Sequence, residues 1–340
     1  MNLAVAHLPS PSASASPYRL LDAQGCELLW ANRFLDAKHL LRRSPCSLRA
    51  YAFDLLHFAR WWSPKDLAQL NAAGLLDYLR HQLDEQPQPS PATVNHRLGL
   101  IRQLYRFHFD QPLLGESRFQ RPYTTQPPLG VGRRRRTVAQ GLRLTEPRRV
   151  ILPLSKQQLD LFCSSFDNYR DLALLGLMLL DGMRSCEVLA LQVADLQLTD
   201  QLILVHGKGN RQRILPLPRV LIDVLQRYLD LERPHTNSQA LFVCLKGRSR
   251  GLPLSVAGLR SLFRHHRVEA CVWQANPHRF RHTFGADMVR AGMSLPALQH
   301  LMGHAHIRTT MLYVQLAPQD VWSEYTRAIQ KRTRFNVSPR

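Results

Sequence analysis

No stretch of this sequence stays apolar for the roughly 18 residues that a bilayer crossing needs, so no membrane-spanning helix is expected. Cysteine is sparse and scattered. Cys26, Cys46, Cys163, Cys186, Cys244 and Cys271 form no CxxC pair. That pattern excludes a disulfide framework or a thiolate metal site and suits a reduced, cytoplasmic chain. Acidic residues are in short supply: Asp plus Glu number 25 against 45 for Lys plus Arg, a formal charge of +20. A chain this basic meets a polyanion; the competing reading is a merely soluble cationic surface. The charge is spread and forms no basic amphipathic anchor, which argues against a membrane partner. His300, His304 and His306 invite a zinc site, but no Cys or acidic ligand lies near them and adjacent arginine disfavours a dication. No metal and no cofactor are expected, and no internal repeat is evident.

At 340 residues the chain has room for two domains, each with its own core. Residues 1–17 are rich in Pro, Ser and Ala and lack the apolar centre of a signal peptide, so they are read as a disordered tail. The pattern from Tyr18 to Trp30 suggests two short strands around a Gly turn. A helix then runs from Asn32 to Arg42 and closes at Ser44-Pro45. Ser47 is placed to cap the next helix, with Leu48, Tyr51, Leu55, Phe58 and Trp62 on one face. Asn71 caps a third. A fourth carries Val94, Leu98, Ile101 and Leu104 inward and His96, Arg97, Arg102 and Arg106 outward. Residues 18–115 therefore read as a helical bundle.

Residues 116–150 read as an interdomain linker rich in Pro and Gly, with the run Arg133, Arg134, Arg135 and Arg136 inside it. That run is either a solvated charge cluster or a strap along a nucleic acid backbone. A second domain spans 151–340, opened by a helix capped by Ser155 and another from Tyr169 to Leu180. Period-two alternation over LQLTDQLILVHGKGNRQRILPLP predicts a three-stranded antiparallel sheet. Helices are expected at about 218–231, 255–268, 277–292, 295–302, 306–314 and 318–330. In the last of these Val321, Trp322, Tyr325 and Ile329 form an apolar stripe. The fold class is mainly α with a small antiparallel sheet.

Five boxes in the second half stand out: GMRSCEVLAL, HGKGNRQRILPL, PHRFRHTF, LMGH and TTMLY. They hold Arg184, Lys208, His278, Arg281, His304 and Tyr313, the last nine positions after His304. Arg binds two phosphate oxygens through a planar fork and stays charged. His278 and Arg281 are three apart on a helix and share a face. The competing reading for Arg184 is an ion pair with Glu187, three residues on. Lys208 sits in a Gly-flanked turn and is either an exposed turn residue or one that reaches out to a ligand; Lys246 and Lys156 are weaker candidates. Among the tyrosines Tyr325 is the rival to Tyr313. His282 is read as a supporting residue.

In this order the boxes resemble the tyrosine recombinases, the phage integrase family that includes the Xer-type enzymes, over about residues 155–320. SLRAYAFDLLHFARWW and SPATVNHRLGLIRQLYRF more weakly resemble that family's SAM-like core-binding domain. The resemblance implies a core-binding N-terminal domain and a catalytic domain that cleaves and rejoins DNA through a 3′-phosphotyrosine. Tyr313 would be the nucleophile, Arg184 and Arg281 the phosphate clamp, Lys208 the general acid, and His278 and His304 donors to the phosphate. Glu187 would hold the local fold. Arg211 and Arg213 after Lys208, Arg97 and Arg102 in the bundle and the linker arginines would contact DNA. The implied partners are double-stranded DNA, further copies of the chain in a tetramer on paired sites, joined through the C-terminal segment, and accessory proteins. Three features depart from the family pattern: Asp181-Gly182-Met183 where Thr-Gly usually precedes the first Arg, the long basic linker and the N-terminal hairpin. Two other functions stay open on sequence, a type IB topoisomerase-like strand transferase and a non-catalytic DNA-binding accessory protein. The DNA site and the choice among phage, transposon, integron and chromosome-dimer roles are not legible.

Overall fold

The computed structural model describes residues 2–8, 14–113, 142–147, 152–207, 212–304, 306–314 and 326. Arg133 to Arg136, Lys208, Arg211 and, apart from Thr326, the expected helix at 318–330 lie outside them. The chain divides into two compact units, Met1–Arg148 and Arg149–Arg340.

The first unit begins with a strand rather than a loose tail. β1 (Ala4–His7) pairs antiparallel with β2 (Tyr18–Leu21), and Leu21 meets Glu27 in a single further bridge across the Gly25 turn. Leu3 and Leu20 are buried on the bundle, which draws the first residues down onto it. Asn32 secures the hairpin from below: its side chain accepts from the Leu20 N–H at 2.8 Å and donates to the Leu20 carbonyl at 3.1 Å. Four helices follow: α1 (Leu29–Leu40), α2 (Pro45–Trp62), α3 (Ala72–Asp84) and α4 (Pro91–Phe109).

Ser44 caps α2, not Ser47. Its hydroxyl accepts from the Ser47 N–H, and Pro45 sits at the first helical position, where a missing N–H costs nothing. Ser44-Pro45 thus opens one helix instead of closing another. Asn71 caps α3 as expected, and Ser90-Pro91 opens α4 in the same way as Ser44-Pro45. Phe34, Phe58, Tyr78, Leu98 and Ile101 fill the core, each such side chain contributing about 1.5–3 kcal/mol by burial.

In the second unit Ser155 and Gln158 form a reciprocal capping box on α5 (Lys156–Cys163). α6 (Tyr169–Leu179) is apolar on most faces and lies in the core beneath α8 (Arg219–Arg227). α7 (Ser185–Ala190) is short. The sheet is three-stranded and antiparallel, with β3 (Leu196–Gln197), β4 (Leu202–His206) and β5 (Gln212–Pro216) in that order. α8 runs on as a wider helical turn through Glu232. α9 (Val256–Glu269), α10 (Pro277–Arg290), α11 (Leu295–Met302) and α12 (Ile307–Val314) complete the unit. Phe162 and Phe263 lie parallel, with Phe280 tilted against both, where α5, α9 and α10 meet.

Candidate active site

Four local devices aim the site. Gly182 turns the chain between α6 and α7 with φ at +62°, and a Cβ there would sit 2.3 Å from the Phe284 ring. Only glycine meets both demands. Arg184 then takes the N-cap position of α7. Asn276 caps α10, with Pro277 next, so His278 and Arg281 stand in the first turns of a firmly started helix. Gly303 ends α11 in the left-handed region at φ +60°, and His304 follows it, its N–H donating to the Gln299 carbonyl. α12 carries Thr310 and Tyr313 three apart, on one face.

These devices bring five of the six residues from the boxes into one place. Arg281 is 3% exposed and donates to the carbonyls of Gly182 and Met302, tying the α6–α7 turn to the end of α11. Arg184 donates from Nη1 to Glu187 Oε1 at 2.9 Å and from Nη2 to the Gly303 carbonyl at 3.2 Å. The ion pair with Glu187 is therefore present, yet the Arg184 side chain stays 38% exposed and can still face a ligand. His304 Nδ1 lies 2.9 Å from the Thr310 hydroxyl, which leaves Nε2 as the nitrogen available to a ligand. The Tyr313 ring rests on Gly285, where a Cβ would come within 2.6 Å of Cζ, and lies nearly parallel to His304 at 6.2 Å. Tyr313 is 2% exposed. His278 and His282 approach Nε2 to Nε2 at 3.0 Å, and His282 also touches the Tyr313 ring.

The electrostatics follow from burial beside guanidinium groups. Desolvation, then repulsion from His278 and Arg281, pushes the His282 pKa down to about 4. Desolvation, then Arg281 and Arg184, brings His304 to about 4 as well and lowers His278. All three imidazoles are neutral at pH 7 and can accept a proton. Desolvation and the Arg184 charge bring even Arg281 down to about 10. Burial raises the Tyr313 phenol, with Arg281 and Arg184 pulling the other way. Burial alone would raise Glu187, but hydrogen bonds from Arg213 and the Arg184 N–H, together with both guanidinium charges, win and bring it to about 2.

Two of the arginines expected on DNA are placed otherwise. Arg213 is 8% exposed and forks onto Glu187 at 2.9 and 3.0 Å, because β5 points it inward under α7 and α11. In the first unit Arg97 is 16% exposed and lies among His57, Asp54 and Glu85, a half-buried polar cluster joining α2, α3 and α4. Arg102 is half-buried near Arg143, whose charge it feels. Sequence reasoning passed over Thr310, read His282 as a supporting residue without its contact to Tyr313, and met Asp181 only as a departure from the family pattern. The helical spacing of Thr310 to Tyr313 and of His278 to His282 was the available signal. Asp181 is buried, with Oδ2 lacking a partner among the described residues, and desolvation raises its carboxyl to about 8.

The chain thus combines a helical N-terminal bundle with a helical unit around a small sheet, in which Arg, His and Tyr side chains from converging segments form one cluster. Residues 154–320 match the phage integrase family, and residues 32–111 match the phage integrase N-terminal SAM-like domain. The chain belongs to the phage integrase, or tyrosine recombinase, family. It is 34% identical over 166 residues to tyrosine recombinase XerD of Staphylococcus epidermidis, covering 47% of this chain and 55% of that protein. The chain thus spans about half the length of that relative. Over 308 residues it is 28% identical to tyrosine recombinase XerD of Lacticaseibacillus casei, covering 86% of this chain and 94% of the relative. In fold it is similar to the XerH site-specific recombinase bound to palindromic difH substrate, with TM-score 0.63 and 19% identity over 89% of this chain and 85% of that one. It is also similar to the Tn1549 transposon integrase in complex with transposon right end DNA, with TM-score 0.61 and 18% identity over 88% and 98%.

Proposed function

We propose that this chain is a site-specific DNA recombinase that cuts and rejoins strands through a 3′-phosphotyrosine. One observation carries the reading: within one folded unit His282 and His304 lie against the Tyr313 ring, His278 stands 3.0 Å behind His282, and Arg281 and Arg184 are near enough for their charges to act on the phenol. Phosphoryl transfer builds negative charge on the phosphate oxygens, and fixed cations and donors stabilise it without reorganising. Arg184 and Arg281 supply the charge. His278 and His304, held neutral, donate to the oxygens or take the phenolic proton.

In the forward step the Tyr313 oxygen bonds to phosphorus, and the bond from phosphorus to the 5′ oxygen breaks. Lys208 gives that oxygen a proton. The phosphotyrosine keeps the bond energy, so a 5′ hydroxyl from the same or another duplex reverses the step without ATP or a metal. Four copies on two DNA sites would carry out the exchange, in the cytoplasm, on sites yet to be defined. Related XerD, XerH and transposon integrase proteins support this assignment by resemblance.

The test is a nicked suicide substrate run on a denaturing gel. Wild type should yield a protein–DNA adduct, and Tyr313→Phe should bind DNA but yield none. An adduct with the Phe variant would move the nucleophile elsewhere. An adduct from wild type that relaxes supercoils but never exchanges strands between duplexes would favour a topoisomerase-like activity. No adduct at all would leave a DNA-binding accessory protein.

A further inference from the structure

Arg213 lies on β5, one residue into the strand and five beyond Lys208 in the sequence, and its side chain turns away from solvent. Nε donates to the Leu301 carbonyl at 2.9 Å. Nη1 donates to Glu187 Oε1 at 3.0 Å and Nη2 to Oε2 at 2.9 Å. Gly303 passes so close that a Cβ there would stand 3.0 Å from Nη1. Glu187 also accepts from the Arg184 N–H at Oε2 and from Arg184 Nη1 at Oε1, each at 2.9 Å. Its carboxylate thus receives four hydrogen bonds, one for each lone pair it can offer. Arg184 closes the circuit on the Gly303 carbonyl. β5, α7 and the loop that presents His304 are joined in one ring of charge-assisted bonds.

Charge decides what the ring does. Glu187 is buried and ionised, so its negative charge must be met from within the protein. If Arg184 met it alone, the pair would sum to zero and present little field to a phosphate. With Arg213 present, two guanidinium groups share one carboxylate, and a net positive charge remains at the exposed member, Arg184. We infer that Arg213 is a positioning residue for strand cleavage: it neutralises Glu187 so that the charge of Arg184 is left for the phosphate, and it braces the loop carrying His304. This rests on the recombinase reading above.

The test uses single-turnover cleavage of the suicide substrate by the full chain. Wild-type adduct formation must be seen first; its absence would count against the recombinase reading and not against this one. Arg213→Ala should slow cleavage by about 30-fold or more while changing DNA affinity by less than about threefold, the pattern of a lost transition-state interaction. A fold defect would also slow cleavage, so the deciding variant adds Glu187→Gln. Removing the unmet carboxylate should return at least about fivefold of the rate lost in Arg213→Ala, a coupling of opposite sign to additive damage. A double variant slower than Arg213→Ala would overturn the inference, as would an Arg213→Ala rate within about threefold of wild type. If Arg213→Ala fails to fold, the pair Arg213→Lys and Arg213→Gln replaces it. The charged variant should then cleave at least about tenfold faster than the neutral one, and equal rates would overturn the proposal.

Discussion

At the scale of single residues, the histidines hold the most direct forecast. His304 and His278 are neutral in the free chain because burial and two guanidinium groups oppose protonation. A seated phosphate reverses the sign of the local field and raises their pKa values. DNA binding near pH 6 should therefore take up on the order of half a proton or more. Calorimetry in buffers of different ionisation enthalpy measures it, and a binding enthalpy independent of buffer would refute it.

Asp181 predicts the opposite kind of pH effect. Its carboxyl is raised to about 8 by burial, so the folded chain keeps a proton that the unfolded chain releases above its ordinary value near 4. Folding stability then falls as pH rises from about 4 to about 8 and is flat beyond. Asp181→Asn should remove that slope and add about 1–3 kcal/mol at pH 7. Denaturant melts at pH 5 and pH 8 check it, and a wild-type slope retained in the variant would exclude Asp181 as the source.

At the scale of elements, the turn at Gly182 joins three roles: it takes φ +62°, packs against Phe284 and lends its carbonyl to Arg281. Gly182→Ala should cost about 2–4 kcal/mol through strain and overpacking, and should slow cleavage as well. A thermal midpoint within a degree of wild type would show that the turn relaxes freely. Elements were also where sequence reading worked best. Asn71 and Ser155 as caps, the three-stranded sheet and the helices of the second unit were legible because each has a local signal in capping chemistry or periodicity. The boxes that point to the family were legible for the same reason, since each packs its distinctive residues into a few positions. What was not legible depended on distant partners. β1 is four residues long in a Pro- and Ser-rich stretch that reads as a tail until Leu3 is folded onto the bundle, and Ser44 and Ser47 offer equal cap chemistry until Pro45 is weighed. Arg213 looks like any basic residue beside a turn until Glu187, 26 residues earlier, is folded beneath it.

At the scale of the whole molecule, the excess of positive charge supplies affinity that carries no sequence information. Changing Arg133 to Arg136 to Ala should lower the slope of log K against log salt by about 2–4 if the run lies on the backbone. Filter binding at several salt concentrations measures it, and an unchanged slope would assign the run to solvent. For a site-specific recombinase, non-specific attraction of this kind also means meeting far more wrong phosphates than right ones. The burial of Tyr313 against Gly285 bears on that problem. On the recombinase reading, a phenol out of reach of water is out of reach of a passing duplex, and the chain could slide along DNA without leaving nicks. Uncovering it would then be work that only a well-seated site repays, and fidelity would rest on latency as much as on recognition.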